Sequence, residues 1–250
     1  MKTISVETFQ KFHNAIQKYD SSTIYRGVSN ISYKLLPKVG REKTLKNYNE
    51  ENLYNVLDDY EQSILEEFQK YAIPFVQKTP ESPWEWWAIA QHYGLPTRFL
   101  DWTKNPLVAL YFAIENCSLE EDAVVYAANS KQFNSNIDLN DTPDPLGISE
   151  VYLYYPPHIN QRIVVQSGIF TVHNNPQLPL NETEKPSDKI DKRKGEKYSI
   201  DKIILKKESK KSLKKVLNLY GINEATIYPG LEGIARHLEW KTLDCNSGGV

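Results

Sequence analysis

Two helix starts are written into the middle of this chain, and the segment between them limits the fold more than any other. In Ser82-Pro83-Trp84-Glu85 a serine can cap, proline suits the first helical position and the glutamate can reach back toward the cap. Asn105-Pro106 repeats the cap-then-proline signal. The first helix runs through Trp84, Trp87, Ala88 and Gln91, with His92 and Tyr93 in its last turn and Gly94 as a left-handed terminator. Leu95-Pro96-Thr97 reads as an extended exit, because the residue before a proline avoids the helical region. The second helix presents Leu107, Leu110, Tyr111 and Ile114 as its buried face. Between the two, Gln91 to Thr103 brings amide, imidazole, phenol, guanidinium, carboxylate, indole and hydroxyl groups into 13 residues. A connector that polar is costly to order unless it serves a site.

The rest of the chain supplies a frame for that connector. Ser5 is positioned to cap a helix from Val6 to Tyr19, and Ser22 to Gly27 reads as a short strand. A helix from Asn49 to Tyr71 carries Leu53, Leu57, Tyr60, Ile64, Phe68 and Tyr71 as one apolar stripe, read as core. Ala123–Ala128 is apolar and β-favouring, as expected of a central strand. Val151–Tyr155, Arg162–Val165, Ile169–Val172 and Ile200–Leu205 are further strand candidates. A helix follows over Ser209–Tyr220, closed by Gly221, and order continues over Ala225–Trp240. Asn129–Glu150 reads as a long loop, residues 174–198 as a mobile surface loop, and residues 246–250 as a frayed tail. The expected architecture is one α+β domain over residues 1–245, with mixed or antiparallel sheets flanked by helices.

Bulk properties exclude several classes. Hydrophobic residues make up 40% of the 250 positions and charged residues 25%, enough to build a core. A net charge of −2 gives no global field toward nucleic acid or anionic membrane, so a nucleic-acid partner is compatible with the sequence but not indicated by charge. The lysine-rich run Lys202–Lys215 could touch nucleic acid, but a solvated helix face is the preferred reading. Two cysteines, Cys117 and Cys245, form no C-x-x-C pair, and the histidines at 13, 92, 158, 173 and 237 lack ligand spacing, so no metal site is expected. Phosphate-loop, dinucleotide-fingerprint, nucleophile-elbow and zincin motifs are all missing. No window approaches ~18 uncharged apolar residues, and the amphipathic N-terminus lacks a secretory pattern, so the chain reads as cytoplasmic with no membrane partner.

Four places could carry chemistry. Arg26 ends a strand and precedes Gly27, so a permanent charge stands where backbone can approach a ligand closely and fork onto a phosphate or carboxylate. A structural salt bridge is the other reading of Arg26. In the connector, His92 can donate or accept protons near neutral pH, while Asp101 and Thr103 are either site residues or cap and turn residues of the helix at Pro106. Gln166 and Gly168 lie in Arg162–Phe170, where Gly168 marks a bulge or close backbone approach. Tyr228-Pro229-Gly230-Leu231-Glu232-Gly233 brings Glu232 to a glycine-flanked turn, where it is either functional or a helix N-terminal acid.

Taken together, Tyr25-Arg26-Gly27, Leu35-Leu36-Pro37 with Arg41, Ala90 to Arg98, Leu100-Asp101-Trp102-Thr103, Pro106, Ala109 and Leu110-Tyr111-Phe112-Ala113 resemble the FRG-domain family of bacterial and phage proteins. Gln166-Ser167-Gly168-Ile169-Phe170 and Tyr228 to Gly233 also look like family elements, so the resemblance spans Ile24 to Leu238, with Tyr25 in place of the phenylalanine in the family's name. A weaker similarity, an aromatic-Arg-Gly strand and a threonine segment leading into a helix, is to ADP-ribosyltransferases. That similarity implies their fold and NAD as substrate, with ADP-ribose passed to a protein or nucleic-acid acceptor by a toxin or phage-defence effector. It also implies roles. Arg26, with Gly27, would hold the NAD phosphates or ribose, Thr103 would be the supporting hydroxyl, and Tyr111 or Phe112 a ring wall. Tyr93, Arg98 and Gln166 would complete the cofactor pocket. His92 or Asp101 would handle protons or ribose hydroxyls. The late glutamate of those enzymes is absent, since Gly168 stands where it is expected, and Glu232 or Asp101 would have to replace it. The other expectation is a non-catalytic module that binds or senses a nucleotide or phosphorylated ligand.

Overall fold

Ala123–Asn129 (β4) has six consecutive buried residues, a pattern that only a strand covered on both faces can satisfy. It lies between β2 (Thr23–Val28) and β7 (Ile200–Leu205), antiparallel to both over six paired residues each. β1 (Thr3–Val6) adds to β7 in parallel. Beyond β2 come β3 (Phe99–Thr103), β6 (Gly168–Val172) and the edge strand β5 (Tyr152–Tyr154), all antiparallel. The computed structural model describes residues 2–41, 53–76, 78–116, 120–157, 161–186 and 196–246. Among these, the strands form one mixed seven-stranded sheet, in the order β1-β7-β4-β2-β3-β6-β5. Helices flank it, which is the expected α+β architecture.

The sheet is uneven. β2 and β3 share one residue pair, Tyr25 with Thr103, whereas β3 and β6 share five. The strands therefore splay apart beyond that pair, and each half of the sheet builds its own helical cover. On one half, α4 (Pro106–Ile114), α1 (Phe9–Ile16) and α6 (Lys210–Leu219) bury Phe12, Tyr25, Leu110, Tyr111, Val125, Ile203 and Leu213. On the other, α2 (Leu53–Ala72) and α3 (Pro83–His92) bury Leu65, Trp84 and Trp87 against Phe99, Phe170 and Val172. Trp84 and Trp87 are fully buried, and each removes apolar area worth about 4–6 kcal/mol at ~25 cal/mol per Å². The opposite face of the sheet is closed by Leu35, Trp102, Tyr126, Phe133, Leu180 and Tyr198.

The helix starts in the centre form as the sequence dictates. Ser82 Oγ accepts the Glu85 N–H at 3.3 Å, although Glu85 reaches back to the N–H of Glu81 rather than to that of Ser82. Asn105 Oδ1 accepts from the Leu107 N–H at 2.9 Å. Gly94 has φ +87 and ends α3 as expected. A closer requirement falls on Gly27, where a Cβ would stand 1.8 Å from the Ala109 carbonyl oxygen. Backbone contact between β2 and α4 therefore depends on the missing side chain.

Several expectations are corrected. The first segment is a strand followed by a helix capped by Thr8, not a helix capped by Ser5, because β7 offers its edge to Thr3–Val6. Arg162–Val165 is part of helix α5 (Gln161–Gln166), not a strand. In α2, Tyr71 is exposed, while Glu61 and Leu65, off the expected stripe, are buried. Residues 49–52, where that helix was expected to begin, lie outside the described residues. α6 is not simply a solvated face, since Lys210 and Lys214 are buried. Within residues 174–198, Leu180 and Tyr198 are core residues, the Leu180 N–H bonds the Leu35 carbonyl, and Glu184 bridges Lys197; residues 187–195 lie outside the described part. The end of the chain forms α7 (Glu224–Ile227) and α8 (Leu231–Asn246), and of the tail only Asn246 is described. No described helix is long and apolar enough to cross a membrane.

Two outcomes follow for stability. Gly27→Ala should destabilise by about 2 kcal/mol or more, read from the chemical denaturation midpoint, because rigid backbone cannot yield to the added methyl. His173 is wholly buried, and desolvation first, then the charges of Arg26 and Arg98, lowers its pKa to about 3. The unfolded chain binds the imidazole proton at a higher pH than the folded one. Stability is thus full above the ordinary histidine value of ~6.5 and falls by roughly 1.4 kcal/mol per pH unit below it, until the folded value is reached. Denaturation between pH 6.5 and 5 should show that slope in the native sequence and lose it in His173→Gln.

Candidate functional site: the cleft at the splayed strands

Where β2 and β3 part, backbone groups that would have faced each other need other partners. The Asp101 carbonyl finds one in Arg26, whose Nη1 donates to it at 2.6 Å. The same nitrogen lies 3.4 Å from Asp101 Oδ2, a long contact. Gln91, at the end of α3, donates from Nε2 to that Oδ2 at 2.9 Å, and its Oε1 accepts from Thr97 Oγ1 at 2.6 Å. Thr97 Oγ1 also accepts from the Phe99 N–H. A relay of four side chains, Thr97, Gln91, Asp101 and Arg26, thus crosses the gap. Arg26 is 17% exposed and Asp101 53% exposed, so both meet the space between the strands.

That space is a cleft of about 1140 Å³, well above what a single small metabolite fills. Its walls include Arg26, Gly27, Gln91, His92, Asp101, Thr103, Phe112 and Gln166. The segment after β2 contributes Lys34, Lys38 and Arg41. Arg41 Nε and Nη2 donate to the Leu36 carbonyl at 3.4 and 3.3 Å. Loss of hydration against the cleft wall, and then the Arg26 charge, push the Arg41 pKa down, while Asp101 opposes them. Lys38 Nζ donates to the Gly94 carbonyl at 2.6 Å and ties this segment to the end of α3. Among the described lining residues, four Arg and Lys side chains face one carboxylate, Asp101. The cleft is therefore cationic although the chain is not; of its charged side chains Arg26 is mostly buried, while Lys34, Lys38, Arg41 and Asp101 are exposed.

The far wall is set by the turn between α5 and β6. Thr103 Oγ1 donates to the Gln166 carbonyl at 2.6 Å and accepts from the Asn105 N–H at 3.0 Å. Gln166 Nε2 donates to the Ile227 carbonyl at 3.1 Å, which fastens this wall to α7. Ser167 follows with φ 48, a left-handed conformation that a serine adopts only where its surroundings hold it. Phe112 presents its ring to the cleft and packs edge-on against Tyr228.

Four residues expected at the site lie elsewhere. Arg98 is buried with Glu61: its Nη2 is 2.7 Å from Oε2, and its backbone N–H bonds Oε1 at 2.8 Å. Asp58 also pairs with it. Those carboxylates hold the Arg98 charge up against desolvation, while burial pushes the Glu61 carboxyl up. Arg98 is thus a strut between α2 and β3, not a ligand for phosphate. Tyr111 is fully buried in the helical layer beyond α4, where burial raises its pKa, and it is not a cleft wall. Tyr93 is 65% exposed and outside the cleft lining, its ring edge-on to His92. Glu232 sits on the first turn of α8, exposed and paired with Arg236 four residues on, and it too is outside the lining. It cannot stand in for a missing late glutamate. Lys34, Lys38 and Arg41 were given no role in the sequence. The charges bracketing Leu35-Leu36-Pro37 were the available signal, but only folding shows that they line the same cleft as Arg26.

The sequence profile of the FRG domain matches residues 21–122. That stretch is similar to the FRG domain. The match takes in β2, the Lys34–Arg41 segment, α3, β3 and α4, which contribute most of the cleft. It stops short of Gln166–Phe170 and Tyr228–Gly233, so the far wall lies outside the matched FRG residues. No curated protein and no solved structure matches the chain.

The buried ion pair of Arg98 and Glu61 is directly testable. Glu61→Gln leaves Arg98 buried with one half-exposed partner, Asp58, and should cost about 3 kcal/mol in chemical denaturation. Because the pair lies outside the cleft lining, binding of inorganic pyrophosphate measured below the unfolding transition should be unchanged.

Proposed function

We propose that the cleft binds NAD and that the protein transfers ADP-ribose to a macromolecular acceptor. One observation carries this reading: among the described residues, a cationic cleft of nucleotide size is lined by a single carboxylate, Asp101, directly beside Arg26. Arg26 binds the diphosphate. The Phe112 ring offers a wall for nicotinamide, and Thr103 supports the pocket through its bond to the Gln166 carbonyl. In the reaction the bond between ribose C1′ and the nicotinamide nitrogen breaks, and nicotinamide leaves as a neutral molecule with the bonding pair. The acceptor nucleophile forms the new bond to C1′ and gives up its proton, for which His92 on the cleft wall is a base. Positive charge builds on the ribose as the old bond lengthens, and the Asp101 carboxylate stabilises it.

A second reading has its own support. Gly168 stands where a late glutamate is expected, and Asp101 is already engaged by Gln91 and Arg26. A cleft of this kind can bind a nucleotide without turning it over and act as a sensor module.

Incubation with NAD labelled in the adenylate, with nicotinamide release followed in parallel, separates the two. The transfer reading expects nicotinamide release and label on lysate macromolecules, both lowered on the order of 100-fold or more in Asp101→Asn. Thermal stabilisation by NAD without any product assigns the cleft to binding only. Absence of both product and stabilisation rejects the transfer reading and excludes NAD as the ligand of a sensor module.

A further inference from the structure

We infer that Arg26 and Arg41 form a two-guanidinium grip for a diphosphate, and that the Asp101 carboxylate is a placeholder which the incoming ligand displaces. This rests on the reading of the cleft as a phosphorylated-ligand site, and it adds the ligand class, a second gripping residue and the state of Asp101 before binding.

The hydrogen-bond inventory of the two arginines carries the inference. Arg26 uses Nη1 for the Asp101 carbonyl, and among the described residues its Nε and Nη2 have no partner. Its side chain is 17% exposed and neither of those donors is a fully buried unpaired atom, so both remain accessible to a ligand. Arg41 directs Nε and Nη2 to the same carbonyl, Leu36, at 3.4 and 3.3 Å, and its Nη1 has no partner among the described residues. Both contacts are at the long limit of a hydrogen bond. Two planar forks with unused donors line one cleft. A fork of this kind matches two oxygens of one phosphate, so a pair of forks fits two linked phosphates better than one.

Asp101 has the properties of an exchangeable counterion. Its contact to Arg26 is long, its side chain is 53% exposed, and its firm partner is the Gln91 amide at 2.9 Å rather than an arginine. Gln91 is fixed in turn by Thr97. When phosphate oxygens occupy the guanidinium donors, like charge drives the carboxylate off Arg26 while Gln91 retains it. The displaced carboxylate remains beside the ligand, where a developing positive charge can use it. Diphosphate binding and release of the carboxylate are then one event.

Calorimetric titration with inorganic pyrophosphate and inorganic phosphate tests this on the full-length protein. The native sequence should bind pyrophosphate at least tenfold more tightly than phosphate. Asp101→Asn keeps the Gln91 contact and removes the competing charge, and should tighten pyrophosphate about threefold to tenfold. Arg41→Gln should weaken pyrophosphate about tenfold or more, and Arg41→Lys should retain phosphate binding but lose the preference for pyrophosphate. Circular dichroism melts of each variant separate lost binding from lost fold. Unchanged or weaker pyrophosphate binding in folded Asp101→Asn overturns the placeholder, and unchanged binding in Arg41→Gln overturns the grip. Nicotinamide release bears on transfer and not on the grip. Variants that behave as expected in a protein that does not cleave NAD keep the grip and reject transfer, whereas NAD cleavage with unchanged pyrophosphate binding in Arg41→Gln keeps transfer and rejects the grip.

Discussion

The hydrogen bond from Arg26 to the Asp101 carbonyl is where fold and site become the same structure. A sheet that continued its ladder from Tyr25 and Thr103 would need no side chain there. Once β2 and β3 diverge, a strand carbonyl must be satisfied by something other than a neighbouring strand, and the guanidinium does so. Holding the strands apart opens the cleft, and closing the gap with a charged group makes the cleft cationic. Arginine suits both tasks, since one donor can serve the backbone while the others face outward.

Charges in this protein divide into two kinds by their surroundings. Arg98 with Glu61, and Lys214 with Glu224 at 2.5 Å, are desolvated pairs that join helices to the sheet or to one another. Tyr228 donates to Glu115 at 2.7 Å, and Lys214 reaches the Glu115 carbonyl, which adds the chain's last helices to the same framework. Pairs of this kind fix geometry more than they add stability, because desolvation offsets most of the attraction. Around the cleft the balance is different. Among the described residues, Arg26 and Arg41 share one half-exposed carboxylate, which makes a single long contact to Arg26, and such incomplete pairing leaves charge available to a ligand.

Much of the frame was legible in the residues. Ser82-Pro83 and Asn105-Pro106 opened helices where expected, Gly94 closed one, and Ala123–Ala128 was recognisable as a central strand. These are local signals, satisfied within a few residues, and tertiary context had little to override. Misreadings fell where long-range contact decides. Thr3–Val6 became a strand because β7 lies beside it, and Arg162–Val165 became a helix despite its β-branched residues. Arg98 read as a site residue because its neighbours in sequence are polar and its buried partner, Glu61, lies 37 residues away.

The sequence by itself determined that Arg26, Gly27 and the connector from Gln91 to Thr103 are special, because their chemistry is too polar and their spacing too particular for plain packing. Which of those groups face a common space was decided by the tertiary structure. One residue pair between β2 and β3, and the close seat of α4 on Gly27, turn Arg26, His92, Asp101 and Phe112 inward and leave Arg98, Tyr111, Tyr93 and Glu232 outside. The reason is geometric. Side chains adjacent along a strand point to opposite faces, and only the arrangement of neighbouring strands and helices decides which face is open.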